Sequence, residues 1–408
     1  MKKIVSLMIA CLLALGLAGA FAEPQGAAYL AEYYNVNFED EVTLDAFNDA
    51  LTALGAAPVE AESLTLADAV VGAIRLAEMD ELAQSYLNDE APDKAANILT
   101  ETGITVPEAA VPYVAAALDL GWLEEDAVLT GPVTGEAAAD LLYLAAETAG
   151  KGRRYIGRIT DENILTELRS VLDAAIIFDE ETLTNLGREI VLRGATTGYG
   201  LKYAGFDARF LADYTIKYGH SSIKHASQLI ALLASEGFDG YIQIEPKVSV
   251  YEYLLDWGTP GAPTPTAQTL QVTEDRYLTY AVEYDLMIEF DTAEEKEAFH
   301  QVIETYAKKY DDSFDADGNL TAKLIAGAWW QPLYSSTTPV ENEEFGTLVD
   351  NVIYDATGNY SIHPFSVPEQ TAAIEAVVSE VAPELSVNPQ TIYVNPAFYR
   401  YITGSDYQ

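Results

Sequence analysis

The sequence predicts an α+β protein built from an N-terminal α-helical bundle, a central α/β module and a C-terminal ferredoxin-like βαββαβ sandwich. Three observations carry that expectation. Residues 23–183 are acidic and repeat apolar positions at helical spacing, and residues 184–257 set short alternating segments around one strong helix. Residues 270–408 then run strand, helix, strand, strand, helix, strand after a proline- and threonine-rich connector at 258–269.

In the first segment the stripes Leu44, Phe47, Ala50, Leu51, Leu54 and Ala69, Val70, Ala73, Ile74, Ala77 each give a short helix one apolar face, as a bundle requires. Between Glu23 and Gly150 the only basic residues are Arg75 and Lys94. Lys151-Gly152-Arg153-Arg154 follows as the one basic cluster and reads as a solvated loop. A plan is repeated. A helix ending at Leu54-Gly55 precedes Leu64-Thr65-Leu66-Ala67-Asp68, and a helix ending at Leu120-Gly121 precedes Val133-Thr134-Gly135-Glu136-Ala137; a third unit opens at Ile159-Thr160-Asp161-Glu162.

On these residues the stretch 27–175 resembles the S-layer homology modules of bacterial surface proteins, which pair a glycine-stopped helix with a second helix opened by a threonine motif. The resemblance implies attachment to a cell-wall polymer. In those modules an arginine follows the threonine and helps to hold the anionic polymer, whereas here Leu66, Gly135 and Asp161 occupy that place. A bundle this acidic repels an anionic polymer, so the resemblance carries further for fold than for anchoring.

The central module starts with Ile190-Val191-Leu192, which reads as a strand, and a glycine-punctuated turn from Gly194 to Gly200. Leu201-Lys202-Tyr203 and Tyr214 to Tyr218 alternate as half-buried strands do. Ser221 or Ser222 caps a helix whose stripe is Ile223, Ala226, Leu229, Ile230 and Leu233, stopped at Gly237. Two further strands, Tyr241 to Glu245 and Val248 to Tyr251, are split by Pro246. His220 next to a strand-borne Glu245, with Asp213 as helper, is the candidate acid–base set. Against it, His220 and His225 lie five residues apart, about 140° around a helix, where two groups on one face prefer three or four. The plainer reading makes His220 part of the cap.

The C-terminal unit is expected to open with Leu278 to Phe290, whose even-numbered residues face a core and whose Thr279, Glu283, Asp285 and Glu289 face water. A helix capped by Asp291 and Glu294, a strand at Leu324 to Trp330, a hairpin of Val349–Tyr354 and Tyr360–Phe365, a helix started by Ser366 and a last strand at Thr391–Val394 complete it. Trp329, Trp330 and Tyr199 are candidates for stacking on a glycan, with core packing as the alternative. Asp315-Ala316-Asp317-Gly318 reads as a turn, because a calcium loop would need a glutamate where Leu324 stands. No metal site or cofactor is expected.

Residues 1–22 fit a secretory signal: two lysines, an apolar run and Ala20-Phe21-Ala22 before the cleavage site. The single cysteine, Cys11, lies within it, so the mature chain has no thiol nucleophile, disulfide or thiolate metal site. The formal charge of −42 disfavours nucleic acid, and no further segment is long enough to span a membrane. Together these features predict a non-catalytic secreted or cell-surface protein, associated with the envelope, that binds a cell-wall polymer, a glycan or a protein partner. The alternative is an extracellular hydrolase working through His220 and Glu245, since no Gly-x-Ser-x-Gly elbow occurs.

Overall fold

The computed structural model describes residues 25–87, 94–102, 106–124, 127–306, 317, 333–341 and 344–404. The chain divides into two compact units, Met1–Arg153 and Arg154–Gln408. The expected signal, with Cys11, and the tryptophans Trp329 and Trp330 lie outside the described residues, as does the strand expected at Leu324 to Trp330.

The first unit is helical: α1 (Gly26–Tyr34), α2 (Leu44–Ala53), α3 (Leu66–Leu76), α4 (Asp80–Gln84), α5 (Lys94–Thr102), α6 (Val111–Asp119) and α7 (Gly135–Thr148). Threonine hydroxyls open three of these helices, Thr43 on α2, Thr65 on α3 and Thr134 on α7, each accepting a backbone N–H three residues on. Asp68 returns a bond to the Thr65 backbone, closing a capping box. Gly55 and Gly121, after α2 and α6, take the left-handed conformation that stops a helix at least cost in glycine. The helix, glycine, loop, threonine-capped helix plan is therefore built twice. The basic cluster is structural rather than solvated. Arg153 is buried, its guanidinium on the Tyr143 hydroxyl and 2.8 Å from the Gln25 side chain, and Lys151 Nζ binds the Leu54 carbonyl at 2.7 Å.

The second unit contains β1 (Gly157–Arg158), α8 (Ile164–Ala174), α9 (Glu181–Leu192), β2 (Gly198–Tyr203), β3 (Thr215–His220), α10 (Ile223–Ser235) and β4 (Gly240–Tyr253). It continues with β5 (Ala267–Gln271), β6 (Tyr277–Phe290), α11 (Ala293–Tyr306), β7 (Leu333–Ser336), β8 (Gly346–Tyr354), β9 (Tyr360–Ser366), α12 (Thr371–Val381), β10 (Val387–Val394) and α13 (Pro396–Ile402). Every strand pairing is antiparallel, in the order β1-β4-β2-β9-β8-β10-β7-β3-β6-β5. Because β6 also pairs with β4, from Gly240↔Phe290 to Tyr253↔Tyr277, eight of these strands close into a barrel.

This architecture corrects the expected fold class. The central α/β module and the C-terminal ferredoxin-like sandwich are not separate bodies, because β4 and β6 lie on either side of the 258–269 connector and are barrel neighbours along their whole length. Leaving aside the edge strand β5, a strand-helix-strand-strand-helix-strand order does occur, but it runs from β3 to β7, starts inside the expected central module and forms half of a closed wall. Periodicity along the chain cannot report such long-range pairing. Ile190-Val191-Leu192 is likewise the end of α9 and not a strand: Leu183, Leu186, Ile190 and Val191 make one buried helical face.

Side chains alternate across the wall. Ile216, Tyr218, Ile242, Ile244, Tyr284, Leu286 and Ile288 point outward to form one core with α8, α10 and α11. Tyr199, Leu201, Val248, Val250, Leu278, Ile353 and Ile362 form another with α9 and α12. The face that the sequence marked as wet, with Thr279, Asp285 and Glu289, points into the barrel and is buried. At one end α13 lays Phe398 and Ile402 against the inward residues Leu348, Ile392, Val394 and Phe365. That end is filled by hydrocarbon.

Tyr199 illustrates how tightly a helix sits on the wall. Its ring lies under Gly187 of α9, where an added Cβ would come within 2.4 Å of Cζ. Gly187→Ala gains about 1 kcal/mol of helix propensity yet overpacks a site where such strain costs about 1–3 kcal/mol. The variant is expected to be less stable than wild type by urea denaturation, and adding Tyr199→Leu is expected to reverse the sign of the Gly187→Ala effect.

Candidate functional site

Strand register brings polar residues from six strands onto the inward face. They are Lys202 on β2, Lys217 on β3, Glu245 and Lys247 on β4, Glu283, Asp285 and Glu289 on β6, Asp350 on β8, and Ser361 and His363 on β9. They lie in direct cross-strand pairs such as Glu245↔Asp285, Lys202↔Lys247 and Lys202↔Ser361. Hydrophobic patterning of the outward face thus places them without any local signal for a site.

Asp285 is the hub. It receives ion pairs from Lys202 and, at 2.6 Å, from Lys247, while Glu245 takes Lys202 at 3.2 Å and the backbone N–H of Ala208 at 2.9 Å. Burial alone would raise the Asp285 pKa, but Lys202 and Lys247 outweigh it and hold the carboxyl well below the usual range. Burial works the other way on Lys202, and Asp285 with Glu245 overcomes it to keep the ammonium protonated. Lys217 differs from the other two lysines: among the described residues its ammonium has no hydrogen-bond or ion-pair partner, although its charge lowers the pKa of both Asp285 and Asp350.

On β9, Ser361 Oγ and His363 Nε2 are 2.9 Å apart, and His363 Nδ1 is 2.8 Å from Asp350 Oδ2 on β8. Asp350 is 3% exposed; burial would raise its pKa, and His363 more than compensates. The second carboxylate oxygen, Oδ1, has no hydrogen-bond partner among the described residues. His363 and Lys202 retain 13% and 15% of their side-chain surface, so solvent reaches this part of the barrel. Tyr354, inward-facing at the strand end beside Ser361 and 43% exposed, marks the mouth.

The residues singled out in the sequence fall elsewhere. His220 pairs across the sheet with Tyr284, and Glu245 with Asp285, so His220 faces outward to α10 and Glu245 inward. Asp213 is exposed, at the opposite end of β3 from His220. The wall separates the proposed acid–base set. Tyr199 is buried under α9 and offers no exposed face for stacking.

His220 is instead joined to His225. The chain turns between strand and helix, so the helical-spacing argument against the pair does not apply. His220 Nδ1 accepts the N–H groups of Ser221 and Ser222, both at 2.8 Å, in place of a serine cap. With Nδ1 occupied as an acceptor, Nε2 carries the proton towards His225 Nδ1 at 2.9 Å. Burial first, and then the charge of His225 on His220 and of Lys224 on His225, lowers both imidazoles to about 4.

In the helical unit an open cavity of about 590 Å³ is lined by Glu39, Asp40, Glu136 and Asp140 around the start of α7. Burial and neighbouring Glu136 raise the Asp140 pKa. Its lining carries negative charge only, in keeping with the sequence argument against an anionic polymer. Among the described residues no three or more His, Cys, Asp and Glu side chains are grouped to hold a metal ion, and no helix is long and apolar enough to cross a membrane.

Two outcomes follow from these environments. Asp285→Asn leaves Lys202 and Lys247 short of a buried counter-charge and is expected to cost about 3–5 kcal/mol by urea denaturation. For His220 and His225 the folded pKa lies below the ordinary 6.5, so between about 6.5 and 4 the unfolded chain binds more protons and stability falls as pH falls. Asp285, with its pKa depressed, loses its contribution only below its ordinary 3.8, a separate window. His220→Asn with His225→Leu is expected to remove on the order of 2–3 kcal/mol from the stability loss between pH 6.5 and 4, read as the difference from wild type.

Comparison of the chain with protein-family models, with curated proteins and with solved structures gives no match.

Proposed function

We propose that this is an exported, envelope-associated binding protein whose barrel interior receives a small zwitterionic molecule of amino-acid or short-peptide chemistry. The observation that carries the reading is the inward face itself: lysines interleaved with carboxylates in a closed wall, with Lys217 uncommitted among the described residues. A ligand of one sign would meet like charges as well as opposite ones among the three lysines and five carboxylates named above. A zwitterion satisfies both, its carboxylate on Lys217 and its ammonium towards the carboxylates. An eight-stranded barrel has room for its own side chains or for one small ligand, which limits size. The plugged end directs access to the end near Tyr354.

The envelope part of the reading rests on the sequence signal at residues 1–22 and on the twice-built helix plan of the first unit. Its acidic cavity favours neutral or cationic groups over an anionic polymer. Cell fractionation tests it: recovery of the protein wholly in the culture fluid, with no retention on purified walls, would count against it.

Isothermal titration tests the barrel. Dipeptides are expected to bind, and their N-acetylated or C-amidated forms, each lacking one charge, to bind at least 10-fold more weakly. Lys217→Met is expected to weaken dipeptide binding by about 10-fold or more, the worth of a hydrogen bond to a charged group. Equal binding of the charged and blocked forms, or an unaffected Lys217→Met protein, would remove the proposal.

A further inference from the structure

We infer that the barrel interior is also a catalytic site, in which Ser361 is a nucleophile for small carboxylic esters, His363 its general base and Asp350 the group that positions His363. The substrate class rests on the zwitterion-binding reading above, since Lys217 would hold the charged end of such an ester. The Ser361–His363–Asp350 geometry is independent of that reading.

A buried ionised carboxylate can only accept. With Asp350 Oδ2 2.8 Å from His363 Nδ1, that nitrogen must carry the imidazole proton, which leaves the Nε2 lone pair facing Ser361 Oγ at 2.9 Å. Serine, imidazole and carboxylate thus stand in the order and at the distances that let a base take the hydroxyl proton as the oxygen attacks. Ser361 and His363 are two residues apart on one strand, and Asp350 lies on its hydrogen-bonded neighbour, so the relative positions are fixed by sheet geometry. Lys202, directly opposite Ser361 on β2, gives two of its three ammonium donors to Glu245 and Asp285. The third is available to an oxyanion.

The steps balance. Ser361 Oγ adds to the ester carbonyl carbon as His363 Nε2 takes its proton, and the carbonyl electrons return to expel the alkoxide, which leaves as alcohol with the proton from His363. Water then attacks the acyl-serine, giving a proton to His363; the C–Oγ bond breaks, Oγ recovers the proton, and a carboxylic acid departs. Water is the only co-reactant.

The experiment treats the full-length protein with a small, uncharged fluorophosphonate, which phosphonylates a nucleophilic serine with loss of fluoride, and maps the adduct by peptide mass spectrometry, alongside p-nitrophenyl acetate hydrolysis. The expected result is a phosphonyl adduct on Ser361, with labelling and hydrolysis falling at least 100-fold in Ser361→Ala, whose thermal melt reports that it is folded. Asp350→Asn is expected to slow labelling and to move the midpoint of its pH profile to lower pH, a shift that a merely structural carboxylate would not cause; Asp350→Glu restores part of the rate. Absence of an adduct on Ser361 in folded wild type, or hydrolysis unchanged in Ser361→Ala, overturns the inference. Dipeptide binding without labelling defeats catalysis and leaves the binding reading intact, whereas Ser361 labelling without dipeptide binding supports catalysis and defeats only the ligand class.

Discussion

The constraint on which the second unit depends is the position of its crossovers. β3 and β4 both run antiparallel to β6, β6 and β7 to β3, and β9 and β10 to β8, so each of these pairs of strands is parallel and separated by a third strand. Joining parallel strands needs a crossover connection, and α10, α11 and α12 supply one each. The helices must lie outside the wall, since an eight-stranded barrel has no room for them within. Outward residues are therefore apolar in order to cover the helices, and the hydrophobic core of the unit is a shell around the barrel. The interior is relieved of the task of holding the fold together.

That release explains how a chain can keep so many charges out of bulk water. Desolvating Lys202 or Asp285 alone would cost several kcal/mol, and each is accommodated only because register sets an opposite charge within reach on the adjacent strand, Glu245 for Lys202 and Lys247 for Asp285. The arrangement stabilises little on its own account. Its value is positional: a network pinned by cross-strand pairs has fewer alternatives than one carried on loops, and α13 confines it to one end of the barrel by filling the other with Phe398 and Ile402.

The alternation of β6 and the hairpin of β8 and β9 were legible in the sequence because both are local: period-two hydrophobicity in one case, a turn between two such runs in the other. The same alternation misled about Asp285 and Glu289. Polar residues on one face of a strand look alike whether that face meets water or the inside of a closed wall, and closure depends on β4 meeting β6 across a 23-residue connection. Ser361 and His363 fall inside the strand expected at Tyr360–Phe365, but nothing in that strand marks them, and their meaning comes from Asp350, set beside them by the hairpin register. Lys202 and Lys217 gave no signal, each being one lysine in a half-buried strand. The helical caps were easier, since Thr65 and Asp68 meet three residues apart.

The two imidazole environments show why residue type and spacing could not separate structure from chemistry here. His220 meets two backbone N–H groups at Nδ1, which only a lone pair can answer, so its proton is forced to Nε2 and spent on His225. His363 meets a carboxylate at Nδ1, which only a proton can answer, so the lone pair is forced to Nε2 and turned on a hydroxyl. One ring is thereby consumed as a helix cap and kept neutral by burial beside a second imidazole. The other is left as a base, with an anion behind it to stabilise the charge it would gain. The difference is decided by what stands at a single nitrogen, donors or an acceptor, and that choice is made by the strand-to-helix turn on the outside of the wall and by hairpin register on the inside.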